Sequence, residues 1–574
     1  MYRRRFYIIL MIVLLCTLLL CSLADNGVPG VEKGYTEPLI PNAWQNVIVN
    51  DINTLEPDLY VNGVLVEPSD ARPYVTNTMD VMIPVDMIRS GMNAAAVRID
   101  EAALYLCRGN HKVRIDMQTD AVTIGGETGI IAGAAIEKNG KLFVSSELIQ
   151  TALGYKADFD AREKKIEFVQ RDPSEPALPD AFSLAETGQL PAVQDQGKLG
   201  TCWAFSALSA LESSLLPAEN YVFSRDHMVL ANSFGKTDQY SGDSGMAAAY
   251  LLAWQGPVSD PSDLYGDGVT DTEMQASLHV QGINFYEEPD VQTIKESVFN
   301  YGGVSATMYL VMADSEKLLY VDHYYSEFQK SYFYNGSRDV NHDVLIVGWD
   351  DHFDKNRFVL SDQVPGDGAF LCQNSWGSGF GSNGLFWVSY YDKAFAASAI
   401  CFTDVEKVNN YDRIYQTDLC GATANAGYGD DTAWFANVYT ADSEEMLSAA
   451  GFYTLGKDSV YEIYTVHDYE SDASLRNGTL AAKGTIAEPG YHTVRFPTPE
   501  QLSSGERFAV IVKLTTPGIS YPVAIEKVTD HAPGADISDG SGYLSNNGVY
   551  YKNTEEDSEL NVCLKVYTRL RSEN

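Results

Sequence analysis

The chain has 574 residues, 45% hydrophobic and 11% aromatic, enough material for several packed cores, which excludes a chain disordered throughout. Lys and Arg number 40 against 78 Asp and Glu, and the formal net charge of −38 argues against binding a nucleic-acid backbone or an anionic membrane surface. Eight cysteines, scattered from Cys16 to Cys563, are too few and too far apart for a disulfide scaffold. At the N-terminus, Arg3, Arg4 and Arg5 precede an apolar run from Phe6 to Leu20, and Ser22-Leu23-Ala24 offers a small-residue cleavage site. That order is the pattern of a secretory signal over residues 1–24. The run is short against the ~20 apolar residues of a bilayer-spanning helix. The expectation is therefore a secreted or cell-surface protein, with a retained membrane anchor left open.

A linker rich in Gly, Pro and polar residues spans 25–57, and a first block follows at 58–170. It opens with Leu59-Tyr60-Val61-Asn62-Gly63-Val64-Leu65-Val66, where Asn-Gly between alternating residues predicts a hairpin. Ser145 is placed to cap a helix through Leu148, Ile149, Ala152 and Leu153, which Gly154 ends. A further hairpin is expected from Lys156 to Val169. The text from Phe143-Val144-Ser145 through Leu153-Gly154-Tyr155 and Phe159-Asp160 to Ile166-Glu167-Phe168 resembles the copper amine oxidase N-terminal-like domain. The resemblance implies a small α+β attachment module. It implies no copper chemistry here, because His111 and Cys107 are the block's soft ligands and lack a metal-site spacing.

A proline-stiffened linker, 171–178, leads to the block at 179–402, which carries the chemistry. Gln194-Asp195-Gln196-Gly197-Lys198-Leu199-Gly200-Thr201-Cys202-Trp203 runs from a glycine-bearing loop into an apolar helix ending near Leu216. Cys202 then sits at a helix N-terminus, where the positive end of the helix favours thiolate, the competent nucleophile, over thiol. Downstream, Asn341-His342-Asp343-Val344-Leu345-Ile346-Val347-Gly348-Trp349 places a histidine at the head of a buried strand. Gln373-Asn374-Ser375-Trp376-Gly377 breaks a second strand into a glycine loop. One cysteine on a helix is ordinarily core, but no packing argument asks for Gln196, Cys202, His342 and Asn374 together.

These motifs, in this order, resemble the papain family of cysteine peptidases. The resemblance implies that Cys202 attacks the scissile carbonyl, His342 shares its proton and protonates the leaving amine, and Asn374 fixes the imidazole tautomer. It gives the Gln196 side-chain amide and the Cys202 backbone N–H as the oxyanion hole, with Trp376 over the His342–Asn374 bond and Trp203 behind the nucleophile. It implies no metal and no organic cofactor, and protein or peptide substrates. Two departures stand out. Leu199 replaces the family's cysteine three residues before the nucleophile, and Tyr240-Ser241-Gly242-Asp243-Ser244-Gly245 lacks its partner, so packing must hold that wall. His342 follows Cys202 by 140 residues and Asn374 by 172, the extra length falling in a polar loop, 351–368, expected beside the cleft. Gly242-Asp243-Ser244-Gly245 also echoes a serine peptidase motif, but a helical run follows where that fold needs a strand. The acidic turn Asp263-Leu264-Tyr265-Gly266-Asp267-Gly268 reads as solvated rather than as a calcium loop. With one thiol catalytic, the five other cysteines of the exported chain cannot all pair, and most are expected to be buried free thiols.

The last block, 403–571, alternates apolar and polar residues in short runs such as Val460-Tyr461-Glu462-Ile463-Tyr464 and Phe508-Ala509-Val510-Ile511-Val512, which argues for an all-β sandwich. It resembles the lectin-like sandwich that follows papain-type domains in exported bacterial peptidases, and its aromatics either stack on sugars or fill the core. The fold expected is a multidomain α+β chain: a small N-terminal module, a papain-like two-lobed core with a helical and a β-barrel-like lobe, and a C-terminal sandwich. The function expected is an exported cysteine endopeptidase, with attachment to a cell-surface glycan or the envelope as a further partner. The rival is a catalytically silent adhesion or carbohydrate-binding scaffold. Cleavage preference and oligomeric state are not legible.

Overall fold

A computed structural model describes residues 55–571 apart from short internal stretches, the longest being 312–320. The signal segment, nearly all of the 25–57 linker and residues 172–177 lie outside the described residues. In the first block, strands Asp58–Val61 and Val64–Val66 pair across Asn62 and Gly63, whose φ values of 50° and 84° are those of a two-residue primed turn. The Ser145 hydroxyl accepts from the Leu148 N–H at 3.0 Å and caps the helix Ser146–Ala152. Strands Tyr155–Asp160 and Lys165–Gln170 form the expected second hairpin. Between these elements lies a five-stranded antiparallel meander from Ala95 to Ile130, which was not among the elements expected from sequence. Leu59, Ile83, Leu148, Ile149 and Phe168 meet in one core beneath them.

The helix Cys202–Leu215 is buried on every face from Cys202 to Ser213, so it runs through the interior rather than lying on a surface. Against it stands a 13-stranded sheet. Strand His342–Asp350 pairs on one side with Val304–Met308 and on the other with Ala369–Gln373, which sets His342 opposite Met308 and Gln373 opposite Leu345. Beyond Val304–Met308 come Ser398–Lys407 and then Leu278–Glu287, and this last strand pairs directly with Gly490–Leu502 of the final block. The sheet therefore continues without a break into the C-terminal region. The strand Ser398–Lys407 also runs straight through the boundary drawn at 402/403. At the junction Gly490 has a φ of 153°, and a Cβ there would meet the Ile283 carbonyl oxygen at 2.0 Å; only glycine allows the two strands this approach.

In the C-terminal block the six-stranded sheet that includes Thr432–Thr440, Ser459–Val466 and Arg507–Thr515 covers the far end of the large sheet. Phe435, Phe452, Ile463, Val510, Val512 and Leu564 fill the space between. Tyr439, Tyr491 and Tyr567 are buried, so these aromatics fill core, whereas Tyr521 and Tyr550 are exposed. Strands dominate the chain and helices are few.

Candidate active site

Thr201 ends the glycine loop and precedes the first turn of the Cys202 helix, which places the Cys202 sulfur at the helix N-terminus. His342 heads its strand and Asn374 follows directly on the neighbouring strand. The His342 Nε2–H donates to Asn374 Oδ1 at 2.8 Å, the tautomer taken from this geometry, and the same oxygen accepts the Ser375 N–H at 2.8 Å. Both side chains are 2% exposed. The other ring nitrogen, Nδ1, is buried and has no hydrogen-bond partner among the described residues. Trp376 lies against the imidazole with ring centroids 5.1 Å apart and is itself braced edge-on by Phe380.

Gln196 is fixed at both ends. Its Nε2–H donates to the Leu199 carbonyl at 2.8 Å, and its Oε1 accepts the Ser375 hydroxyl at 2.5 Å. The backbone adds a Gln196 N–H to Ser375 carbonyl bond at 2.8 Å, and Gly377 N–H reaches the Gln194 carbonyl at 3.0 Å. The loop before the cysteine and the loop after Asn374 are thus one hydrogen-bonded unit. Tyr265 completes it, its hydroxyl 2.9 Å from the Gln196 carbonyl and 2.5 Å from the Thr201 hydroxyl. Ser375 and Tyr265 were not singled out from sequence: each is an ordinary polar residue until the loops meet.

Leu199 lies beside the turn at Gly266, its Cδ1 3.8 Å from where an added Cβ would stand. Trp203 is 1% exposed and seats against Gly242, where an added Cβ would fall 2.4 Å from its ring. Asp243 caps the helix Ser244–Leu252 by accepting the Met246 N–H at 3.0 Å, so the Gly-Asp-Ser-Gly text opens a helix. The loop 351–368 carries a small core of its own, Phe353, Phe358 and Val364 against Phe333 and Ala369. Cys372, Cys401, Cys420 and Cys563 are buried free thiols. Of the other histidines, His227 bonds the Tyr250 hydroxyl at 2.6 Å and His279 stacks on Trp254 at 3.5 Å; both serve packing.

Burial first, and then the charge of Asp343, push the Cys202 thiol up to about 12, although the backbone N–H groups of Trp203 and Asp343 pull the other way. Burial holds His342 down to about 4, against the opposing bond to Asn374. Burial thus acts on both groups towards the neutral form, against the pull of the helix end on Cys202. Asp343, the residue after the histidine, explains part of this. Its Oδ2 accepts the Cys202 S–H at 3.7 Å. The signal was present in the sequence as a carboxylate directly after the histidine and before the apolar run Val344-Leu345-Ile346-Val347.

Comparison with known proteins places these features in families. The Papain family cysteine protease pattern matches residues 178–401, the Copper amine oxidase N-terminal domain pattern 60–168, and the Lectin like domain pattern 414–568. Cathepsin S of Bos taurus is 29% identical over 224 residues, covering 37% of this chain and 60% of that protein. Cathepsin J of Mus musculus is 26% identical over 217 residues, covering 37% and 60%, so the chain spans about three fifths of these relatives' length. Among solved structures, the clostridial cysteine protease Cwp84 after propeptide cleavage superimposes with a TM-score of 0.60 at 23% identity, covering 68% of this chain and 99% of that one. The cysteine protease and lectin-like domains of Cwp84, a surface layer associated protein of Clostridium difficile, give 0.59 at 24% identity, covering 68% and 89%. The shared fold thus runs through the central and C-terminal blocks together. These matches identify residues 178–401 as a papain family cysteine protease segment, standing between a copper amine oxidase N-terminal domain and a lectin like domain.

Proposed function

We propose that this chain is an exported cysteine endopeptidase that hydrolyses peptide bonds of proteins through an acyl-enzyme on Cys202. The observation that carries the reading is the imidazole of His342, held at Nε2 by Asn374 at 2.8 Å while its buried Nδ1 is left without a partner. A buried polar atom without a partner costs about 1–3 kcal/mol. The open nitrogen of His342 is available to take a proton. In the reading, the Cys202 S–H bond breaks, its proton passes to Nδ1, and the sulfur adds to the scissile carbonyl. The imidazolium then protonates the leaving amine, and water, deprotonated by the imidazole, releases the acid.

The developing oxyanion takes the Cys202 backbone N–H and the Gln196 amide. An amide nitrogen carries two protons, and the bond to the Leu199 carbonyl uses one and orients the other. Trp376 keeps water from the His342–Asn374 bond, and Trp203 backs the nucleophile. The two-lobed core, with the Cys202 helix on one side and the His342 strand on the other, is part of the same reading, as are the boundaries 179–402 and 403–571. The lectin like segment supports attachment to a surface glycan, and the surface layer association of Cwp84 supports a cell-surface location.

The rival, a catalytically silent surface scaffold, is separated by labelling. Incubation of the full chain with a thiol-reactive epoxide, read by peptide mass spectrometry, is expected to modify Cys202 and to fail in His342→Ala. The same variant is expected to lose about 10⁴-fold or more of peptide hydrolysis. A reduced, folded protein in which Cys202 takes no label favours the scaffold.

A further inference from the structure

We propose that Asp343 is a positioning residue for Cys202: its carboxyl fixes the direction of the thiol and, by its own charge state, sets the pH range in which the sulfur gives its proton to His342. The proposal rests on the reading of Cys202 as the nucleophile and goes beyond the residues that reading uses.

Three observations carry it. The Cys202 Sγ lies 3.7 Å from Asp343 Oδ2. The carboxyl is 8% exposed, and among the described residues no lysine or arginine pairs with it. The groups around it are accounted for from each packed element. On the helix stands Cys202, and on its own strand the preceding His342. Across the sheet it faces Thr307, which carries no charge. At the start of the helix Ser244–Leu252 stands Asp243, whose charge acts on Asp343, and behind it His531 of the C-terminal block lies 3.2 Å from Asp243.

A buried carboxyl with no cation beside it and a second carboxyl nearby favours its protonated form. Burial, then the Asp243 charge, accordingly raise Asp343 to about 7, so both forms are accessible near neutrality. The two forms act oppositely on the sulfur. An ionised Asp343 accepts the thiol S–H and repels a negative sulfur, which keeps the thiol protonated. A protonated Asp343 carries no such repulsion and turns its O–H to the thiolate as a donor. In the transfer itself the S–H bond breaks, the electron pair stays on sulfur and the proton goes to His342 Nδ1; Asp343 neither gains nor loses a proton in that step. The thiol therefore gives up its proton more readily where Asp343 holds its own, on the acid side of the Asp343 titration.

The test is the pH profile of Cys202 alkylation by iodoacetamide in the full chain, read by peptide mass spectrometry, for wild type, Asp343→Asn and Asp243→Asn, with folding checked by circular dichroism. In wild type the rate is expected to rise with pH below about pH 7 and to level off above it, where Asp343 ionises. Asp343→Asn is expected to lose that levelling and, at about pH 8.5, to label about tenfold or more faster than wild type, since each unit of thiol pKa is a tenfold change in thiolate fraction. Asp243→Asn retains an oxygen to cap its helix and removes the like charge, so its break is expected at lower pH than in wild type. An Asp343→Asn profile that superimposes on wild type overturns the proposal while leaving Cys202 as nucleophile. If that variant does not fold, an unmoved break in Asp243→Asn overturns it. Alkylation of Cys202 that is absent, or indifferent to His342→Ala, removes the reading beneath it as well.

Discussion

Two buried polar clusters share the helix Cys202–Leu215, one at its first residue and one in its third turn. At Glu212 every demand of the carboxylate is met. Arg225 donates to Oε1 at 2.5 Å and to Oε2 at 3.0 Å, and the Phe223 N–H reaches Oε1 at 3.0 Å. Arg225 donates further to the Phe223 carbonyl at 2.7 Å and to Ser209 at 3.2 Å. At Cys202 the arrangement is the reverse: the imidazole has an open nitrogen, and the neighbouring carboxyl has a thiol where a cation would satisfy it. The difference separates two uses of buried polarity. A closed pair locks one element to another, and an unfinished one keeps a proton free to move.

That contrast can be broken at several points. Arg225→Ala leaves Glu212 as an unpaired buried charge and is expected to cost about 3–5 kcal/mol of stability, read as a lowered midpoint in denaturant unfolding. Labelling of Cys202 in the fraction still folded is expected to persist, because the closed pair serves structure. Gln196→Ala is expected to do the opposite. It should lower kcat about 10²–10³-fold against a fluorogenic peptide, while the Leu199 carbonyl and Ser375 hydroxyl it leaves without a partner cost about 1–3 kcal/mol, less than in Arg225→Ala. Equal losses of activity and stability in both variants would erase the distinction drawn here.

Smaller effects sharpen it. Gly242→Ala drives a Cβ to 2.4 Å from the ring of Trp203, the residue after Cys202. It is expected to cost about 1–3 kcal/mol in thermal unfolding, since that ring is fully packed and has nowhere to retreat. His531→Ala removes a pair to Asp243 in which both side chains are more than 40% exposed, 42% and 48%. Water screens such a pair, and the expected change is about 0–1 kcal/mol in the same measurement.

Much of the candidate site was legible because its residues carry local signals. Cys202 followed a glycine loop into an apolar run, His342 headed a buried strand, and Asn374 preceded Ser-Trp-Gly, and each such signal survives folding. The hairpin at Asn62-Gly63 and the cap at Ser145 were readable for the same reason: turn and cap chemistry is decided within four residues. The meander from Ala95 to Ile130 was not read, although Gly109-Asn110 and Gly125-Gly126 stand in the sequence as two-residue turn signals between its strands. That the strand Ser398–Lys407 runs across 402/403 was hidden in the sequence. A strand that crosses from one block into the next looks like any other strand until its neighbours are known.

What the sequence determined by itself was the list of reacting types, their order, and the division into a module, a peptidase-like block and a β-rich end, because composition and short-range motifs encode these directly. What only the tertiary structure decided was charge and contact. Burial presses the thiol and the imidazole towards their neutral forms because it removes the water that would solvate their ions. Ser375, Tyr265 and Asp343 enter the site because loops far apart in the chain close on one another, and the sheet runs on into the final block because Leu278–Glu287 finds Gly490–Leu502. Desolvation and long-range pairing depend on what stands beside a residue in space, and no stretch of neighbouring residues records that.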